Sequence, residues 1–252
     1  IIVKMSGTIN TTAKTTLDVF NIKRLNPSRL IKNFPKTKMQ RSALLAALVQ
    51  AILLITLEGV AVGVFTQYYD IVNGPSGPAR GMPVYLIIVI LAQVWGFYLC
   101  AEAIYQQNTI QYIAYVFINL SVFIYTIFQY SQVNTLVDET NGMSQHNKDL
   151  LHAILIVIPV IAGVFFLINS IYVYFLYRQF GWKMYKKIGA NPDIKRMYRT
   201  YQLFILELKI DVFFVLGFCI QFLVLVINKN DPEFAVTIAA LPVAIIILIF
   251  AA

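Results

Sequence analysis

Three charged side chains lie inside an apolar stretch that is long enough to cross a bilayer. Glu207, Lys209 and Asp211 fall in the first half of residues 201–227. Charged groups are costly in hydrocarbon and usually face protein, water or the membrane interface. On a helix, Glu207 and Asp211 share one face and Lys209 points roughly the other way. The triplet therefore indicates either a helix-packing network, with Glu102 as the candidate partner of Lys209, or a transport or proton path.

A further acid, Glu58, lies in the first apolar stretch. It is about 24 Å along a helix from Ser42, which places it nearer the opposite leaflet from Lys209. We expect Glu58 to be interfacial, to pair with a polar group of a neighbouring helix, or to line an ion or substrate path.

Small residues form a stripe along the same stretch, and we expect them to share one side of the helix. Its members are Ala43, Ala47, Ala51, Gly59 and Gly63. Gly59 and Gly63 form a small-xxx-small pair, which predicts close approach of another helix. In the third apolar stretch Gln111, Asn119 and Ser121 should face other helices, because lipid offers them no hydrogen-bond partner.

No arrangement of residues indicates catalysis. The chain has no Gly-rich phosphate loop, no HExxH and no D-x-D pair. His146 and His152 lie six residues apart without a cysteine or carboxylate pattern typical of a metal site. We therefore predict no catalytic residue, metal, cofactor or small-molecule substrate, and two free buried thiols at Cys100 and Cys219.

The composition is typical of a polytopic membrane protein. Of 252 residues, 59% are hydrophobic and 13% are charged, against about 25% charged residues in soluble domains. We predict an all-α bundle with six visible spans, and a seventh span could be missing. The predicted spans are about 42–65, 83–101, 109–129, 151–177, 201–227 and 235–252.

The distribution of basic residues predicts the topology. Nine of the 20 Lys and Arg residues lie in residues 1–41 and seven in residues 178–200. The positive-inside rule places both segments in the cytosol. We therefore expect a basic cytosolic tail (1–41), a transmembrane domain (42–252) and a basic cytosolic loop (178–200). This topology explains the net charge of +8, so we expect no nucleic-acid partner.

The loop 178–200 is expected to contact anionic lipid headgroups or an acidic protein. The basic residues that would do so are Lys183, Lys186, Lys187, Lys195, Arg196 and Arg199. The alternative is a loop that sets topology and has no specific ligand.

Two stretches resemble a known family. They are similar to stretches of fungal multi-pass proteins of the Golgi apparatus membrane. The first stretch contains KKIGA at 186–190, KRMY at 195–198 and then YQLF…LKIDVFFVLGFCIQFLV, and the second is Leu57-Glu58-Gly59. The resemblance extends over residues 42–252. It implies a fungal endomembrane protein with six or seven spans, in the Golgi, another endomembrane or the plasma membrane, and it supplies no catalytic residue.

Three functions remain open from the sequence. The first is a non-enzymatic structural or accessory subunit that packs against a larger membrane-protein partner of the secretory or cell-wall pathway. The second is a small transporter or channel that uses Glu58, Asp211 and the polar face of the third span. The third is a membrane protein that binds anionic lipid through the loop 178–200.

Overall fold

The structure is a computed structural model that describes residues 37–68, 82–139, 144–188 and 192–225. These residues form five α-helices and no strand. The helices are α1 (Lys38–Tyr68), α2 (Met82–Gln106), α3 (Thr109–Glu139), α4 (Gln145–Ile188) and α5 (Pro192–Leu225). The predicted all-helical class is confirmed.

Local sequence explains where α2 ends and α3 begins. Gln107 adopts φ 58°, and the Asn108 amide donates to the Ala103 carbonyl at 2.9 Å, which is the pattern of a Schellman C-cap. The Asn108 side chain then accepts from the Ile110 amide at 3.0 Å and caps α3. This two-residue link forces α2 and α3 into an antiparallel hairpin.

The first four helices form a closed ring. In it α1 packs against α2 and α4, and α3 packs against α2 and α4. The fifth helix lies against α2 and also touches α3. The helices α1 and α4 are antiparallel, because the beginning of α1 contacts the end of α4, as in the hydrogen bond of Gln40 with Gln179. The arrangement is an up-down-up-down four-helix bundle with α5 added beside α2.

The bundle carries many of its large apolar side chains on the outside. On α4, Val160, Val164, Leu167 and Ile171 are all exposed and recur at helical spacing on one face. A continuous apolar surface of this kind indicates a lipid-facing wall. Other large apolar side chains, among them Leu54 and Phe180, are buried inside the bundle together with alanines and amides.

Four helices are long and apolar enough to cross a membrane. The candidate spans are Lys38–Val64, Tyr85–Gln106, Thr109–Asn134 and Gln145–Trp182. Within the described residues α5 is not among them, so the predicted span 201–227 stays a prediction. The predicted span 235–252 and most of the tail 1–41 lie outside the described residues.

The structure corrects the predicted loop 178–200. Residues 178–188 continue α4 and residues 192–200 form the first turns of α5. Pro192 suits the first helical position because no N–H is needed there, and Asp193 in the first turn complements the helix dipole. A basic composition does not prevent a helix from continuing.

Candidate functional site

The inward face of α1 carries three buried polar side chains at regular intervals. These are Gln40, Gln50 and Glu58, separated along the helix by about 15 Å and 12 Å. Each of them meets polar side chains of other helices, so the interior of the bundle contains polar layers separated by apolar ones. The layer at Gln40 is the simplest, because its amide donates to Gln179 Oε1 at 3.2 Å.

The central layer is built from neutral amides and hydroxyls of three helices. Gln50 Nε2 donates to Asn119 Oδ1 at 2.7 Å. Gln50 Oε1 accepts from Asn169 Nδ2 at 2.9 Å and from the Tyr115 hydroxyl at 3.4 Å. The Tyr112 hydroxyl donates to Asn169 Oδ1 at 3.5 Å.

This central layer contains no charge. Its groups bond to one another across α1, α3 and α4, and all its side chains are buried, with Asn119 Nδ2 left without a hydrogen-bond partner among the described residues. Such a network favours one relative register of the helices, because any shift would leave buried polar groups without partners. Its chemistry is therefore that of a packing element.

Glu102 forms a charged layer on the outer side of α2. Its Oε2 lies 2.6 Å from Lys209 Nζ, with 10% of the Glu102 side chain and 15% of the Lys209 side chain exposed. Gln111 Nε2 donates to the same oxygen at 2.8 Å, and Gln106 Nε2 donates to Oε1 at 2.7 Å. Both carboxylate oxygens are thus satisfied and the charge is balanced, which attaches α5 to α2.

Glu58 lies in a different environment. It is 0% exposed, and both of its oxygens accept from a single donor, Gln129 Nε2, at 3.2 Å and 3.0 Å. Gln129 Oε1 and the Tyr125 hydroxyl are buried without a hydrogen-bond partner. This is a polar pocket with one negative charge and no cationic partner among the described residues.

The two other acids of the predicted span 201–227 face away from the bundle. Glu207 and Asp211 are exposed on α5, on the side opposite Lys209. Large apolar residues continue the same stripe. The acidic outer face of α5 consists of Leu203, Phe204, Glu207, Asp211, Phe214 and Phe218.

The small-residue stripe of α1 is divided between two faces. Ala43, Ala47 and Ala51 are buried, whereas Gly59 and Gly63 are exposed and have nothing within 4 Å of an added Cβ among the described residues. The expectation that all five share one side is wrong. Steps of four residues rotate about 40° each around a helix, so the stripe reaches the opposite face within five steps.

Ser121 also departs from expectation. It is exposed, and its hydroxyl donates to the Phe117 carbonyl of its own helix at 3.0 Å. A serine can satisfy its hydroxyl on the preceding turn, which an amide side chain on a helix does less readily. Gln111 and Asn119, in contrast, do face other helices.

Basic and aromatic side chains flank the junction of α4 and α5. Arg196 and Arg199 are exposed, and Lys195 Nζ lies 5.0 Å from the centroid of the Tyr185 ring. Trp182 stacks on Tyr185 with ring centroids 6.1 Å apart. The side chains of Lys183, Lys186 and Lys187 lie outside the described residues.

The sequence analysis missed the amides that complete the layers. Gln50, Gln129, Asn169 and Gln179 were not singled out. A signal was present on α1, where Gln40 and Gln50 share the inward face with the buried alanines. Among the described residues, no group of three or more His, Cys, Asp or Glu side chains could hold a metal ion.

The chain has a curated relative over most of its length. It is 28% identical, over 93% of this chain and 71% of the relative, to a UPF0658 Golgi apparatus membrane protein of Schizosaccharomyces pombe. No family model matches the chain, and no solved structure matches it. The similarity confirms the resemblance to Golgi-apparatus membrane proteins found in the sequence, and the chain is a multi-pass membrane protein of the Golgi.

Proposed function

We propose that the protein is a non-enzymatic accessory subunit that packs against a larger membrane protein of the secretory or cell-wall pathway. The observation that carries this proposal is the acidic outer face of α5. Its residues are exposed while the opposite side of the helix is attached to the bundle. The Golgi location is consistent with either pathway.

The height of this face follows from the contacts of α5 with α2. Lys209 binds Glu102, and one turn further along Phe213 stacks on Trp95 with ring centroids 6.4 Å apart. Both partners lie within Tyr85–Gln106, which is one of the candidate spans. Asp211, between Lys209 and Phe213, therefore lies level with membrane-crossing residues of α2.

An exposed carboxylate at this depth needs a partner. Glu207 and Asp211 form no hydrogen bond or ion pair with another described residue, and lipid tails would leave their charges unsolvated. A partner helix that carries Lys, Arg or amide donors would supply the missing interactions. Phe204, Phe214 and Phe218 would add the apolar contact area that such an interface needs.

Site-specific photocrosslinking in native Golgi membranes tests the proposal. A photoreactive phenylalanine analogue replaces Phe214, and the matched control carries it at Phe117 of α3, because both side chains are 65% exposed. We expect Phe214 to crosslink to one membrane protein of another kind and Phe117 to crosslink to lipid. Mass spectrometry of the crosslinked peptide identifies the partner.

Charge reversal provides a second arm. Asp211→Lys should abolish co-purification of that partner in mild detergent, whereas Glu207→Gln should weaken it less. Crosslinks from Phe214 only to lipid, to a second copy or to residues 226–252 of the same chain would overturn the accessory function.

The junction of α4 and α5 favours a second function, binding of anionic lipid. Lys195 lies over the exposed Tyr185 ring, which stacks on Trp182. Arg196 and Arg199 are exposed in the same first turns of α5. Aromatic rings are enriched at the membrane interface, and basic side chains there attract anionic headgroups at about 1 kcal/mol each.

Native mass spectrometry from nanodiscs that contain phosphatidylinositol tests this second function. The doubly substituted Arg196→Gln/Arg199→Gln protein should retain fewer anionic lipids than the unmodified protein. The matched control is Arg178→Gln, because Arg178 is also exposed and lies about one helical turn before Trp182 on α4. Equal retention by all three proteins would remove the lipid-binding function.

A further inference from the structure

The pocket around Glu58 differs from the other polar layers because its charge is not balanced. A carboxylate that is removed from water needs a counter-charge and several donors to offset its lost hydration. Glu58 receives one amide group, whose nitrogen reaches both oxygens. Among the described residues it pairs with no lysine, arginine or histidine, in contrast to Glu102, which pairs with Lys209.

Two oxygen atoms beside this carboxylate are also incomplete. Gln129 is 2% exposed, and its Oε1 has no hydrogen-bond partner among the described residues. The buried hydroxyl of Tyr125, one turn before Gln129 on α3, lacks one as well. Each buried unsatisfied group costs about 1–3 kcal/mol, so a ligand that engages them would be stabilised.

The walls of the pocket are apolar. Leu54 and Ala61 flank Glu58 by about one turn of α1 and belong to a buried cluster with Leu86, Leu155 and Ile158. Among the side chains that the structure describes, the titratable or charged groups that neighbouring helices bring to this end of the bundle are Tyr85, Tyr125, Tyr130, His146, Lys148, Asp149 and His152. The hydrogen bonds of Glu58 reach none of them.

We propose that Glu58, Gln129 and Tyr125 form a binding site for one small monovalent cation, either a proton or Na⁺. The carboxylate supplies a single negative charge, so one positive charge makes the pocket neutral. A divalent ion would leave an unbalanced positive charge in an apolar interior. A proton and Na⁺ both bind to oxygen atoms, and the oxygen atoms of Gln129 and Tyr125 are the ones that lack hydrogen-bond partners.

The two cations engage the same atoms differently. A protonated Glu58 would donate a hydrogen bond to Gln129 Oε1. For this the Gln129 side-chain amide has to rotate by about 180°, which exchanges the positions of Nε2 and Oε1 and requires no additional volume. Na⁺ would be coordinated by the carboxylate, by Gln129 Oε1 and by the Tyr125 hydroxyl oxygen, since hard cations prefer oxygen ligands.

This site is separate from the proposed docking face. Glu58 lies inside the ring of α1–α4, whereas Glu207 and Asp211 lie on the outer side of α5. Loss of one therefore leaves the other intact. Binding of a cation is the first step that a transporter would need, but it also serves a protein that does not transport.

Infrared difference spectroscopy of the full chain in nanodiscs tests the site. Spectra are taken between mildly acidic and mildly alkaline pH, in NaCl and in choline chloride. A proton site should give a protonated-carboxyl band that Glu58→Gln removes and the matched Glu207→Gln variant retains. A Na⁺ site should give carboxylate bands that shift when choline replaces Na⁺, again only while Glu58 is present.

The thermal unfolding temperature of the unmodified protein gives a second measurement that does not depend on the variant folding. A cation bound only by the folded state raises this temperature through mass action. We expect an increase with Na⁺ over choline, or with acidification. Tyr125→Phe together with Gln129→Leu should remove the increase with Na⁺, because both substitutions delete oxygen ligands, and Glu58→Gln should remove the increase that comes from a proton. Carboxyl bands identical to those of Glu58→Gln, or an unfolding temperature independent of both cations, would overturn the proposal.

Discussion

Two glutamates inside this helical protein differ in the groups that surround their carboxylates. Glu102 meets the ammonium group of Lys209 at 2.6 Å and two further amides. Glu58 is more deeply buried and meets one amide. Among the described residues, the chain therefore provides a counter-charge for one acid and none for the other.

The difference separates structural polar groups from candidate binding groups. A side chain whose charge and hydrogen bonds are all satisfied within the fold needs no ligand, and the simplest role for it is packing. A buried side chain with an incomplete set of partners requires either a ligand or a change of protonation. By this criterion Glu102 and Gln50 belong to the first class and Glu58 to the second.

Breaking the Glu102–Lys209 pair should have the largest effect. Lys209→Ala leaves a mostly buried carboxylate without its counter-charge, and removal of one partner of a buried pair costs about 3 kcal/mol. We expect a lower unfolding temperature and release of α5 from α2. Labelling of the buried Cys100 thiol with a fluorogenic maleimide, in a Cys219→Ala background, reports unfolding.

The control for this prediction is Lys209→Met combined with Glu102→Gln. An uncharged pair of similar size avoids the unpaired charge, so most of the lost stability should return. A Lys209→Ala protein as stable as the unmodified one would show that the pair does not hold α5 in place.

The central layer should give the next largest effect. Gln50→Leu removes the partner of Asn119 and of Asn169 at once, and we expect a loss of about 2 kcal/mol. Replacement of Asn119 and Asn169 by Leu in the same protein removes the unsatisfied groups and should restore part of that stability. The same thiol-labelling assay measures both, and additive losses in the triple variant would contradict a connected layer.

Substitutions at Glu58 should have a smaller effect that depends on the new side chain. Glu58→Gln keeps the shape and removes the charge, so its unfolding temperature should equal or exceed that of the unmodified protein. Glu58→Ala leaves Gln129 without a partner and should cost about 1–2 kcal/mol. If Glu58→Gln is instead as damaging as Lys209→Ala, the carboxylate charge is balanced by a group of the chain itself.

The sequence predicted those features that depend on one helix at a time. Helical periodicity separates Lys209 from Glu207 and Asp211, because residues two apart point in nearly opposite directions. The location of membrane-crossing segments follows from apolar runs of sufficient length. Glu102 was raised as a partner because it ends the neighbouring apolar stretch.

The missed features depend on how separate helices are rotated and aligned. The contact of Gln50 with Asn169 joins residues 119 positions apart, and no local pattern specifies that α1 and α4 are neighbours. Gln129 faces Glu58 only because α1 and α3 meet at a particular height. The continued helix over 178–188 was missed because basic composition was taken to end α4.

A pair of glycine substitutions tests the rotation of α1 that buries Glu58. Gly59 is the next residue and faces outward with nothing within 4 Å of an added Cβ among the described residues, whereas an added Cβ at Gly163 of α4 would lie 2.9 Å from Phe123 Cε2. Alanine favours a helix over glycine by about 1 kcal/mol, so Gly59→Ala should be slightly stabilising in the thiol-labelling assay. Gly163→Ala should lack this gain or be destabilising, because the Phe123 ring stacks on Phe166 and has to shift. If Gly59→Ala were the more damaging of the two, Gly59 would be in close contact with another helix, and the rotation that places Glu58 inside the ring would be wrong.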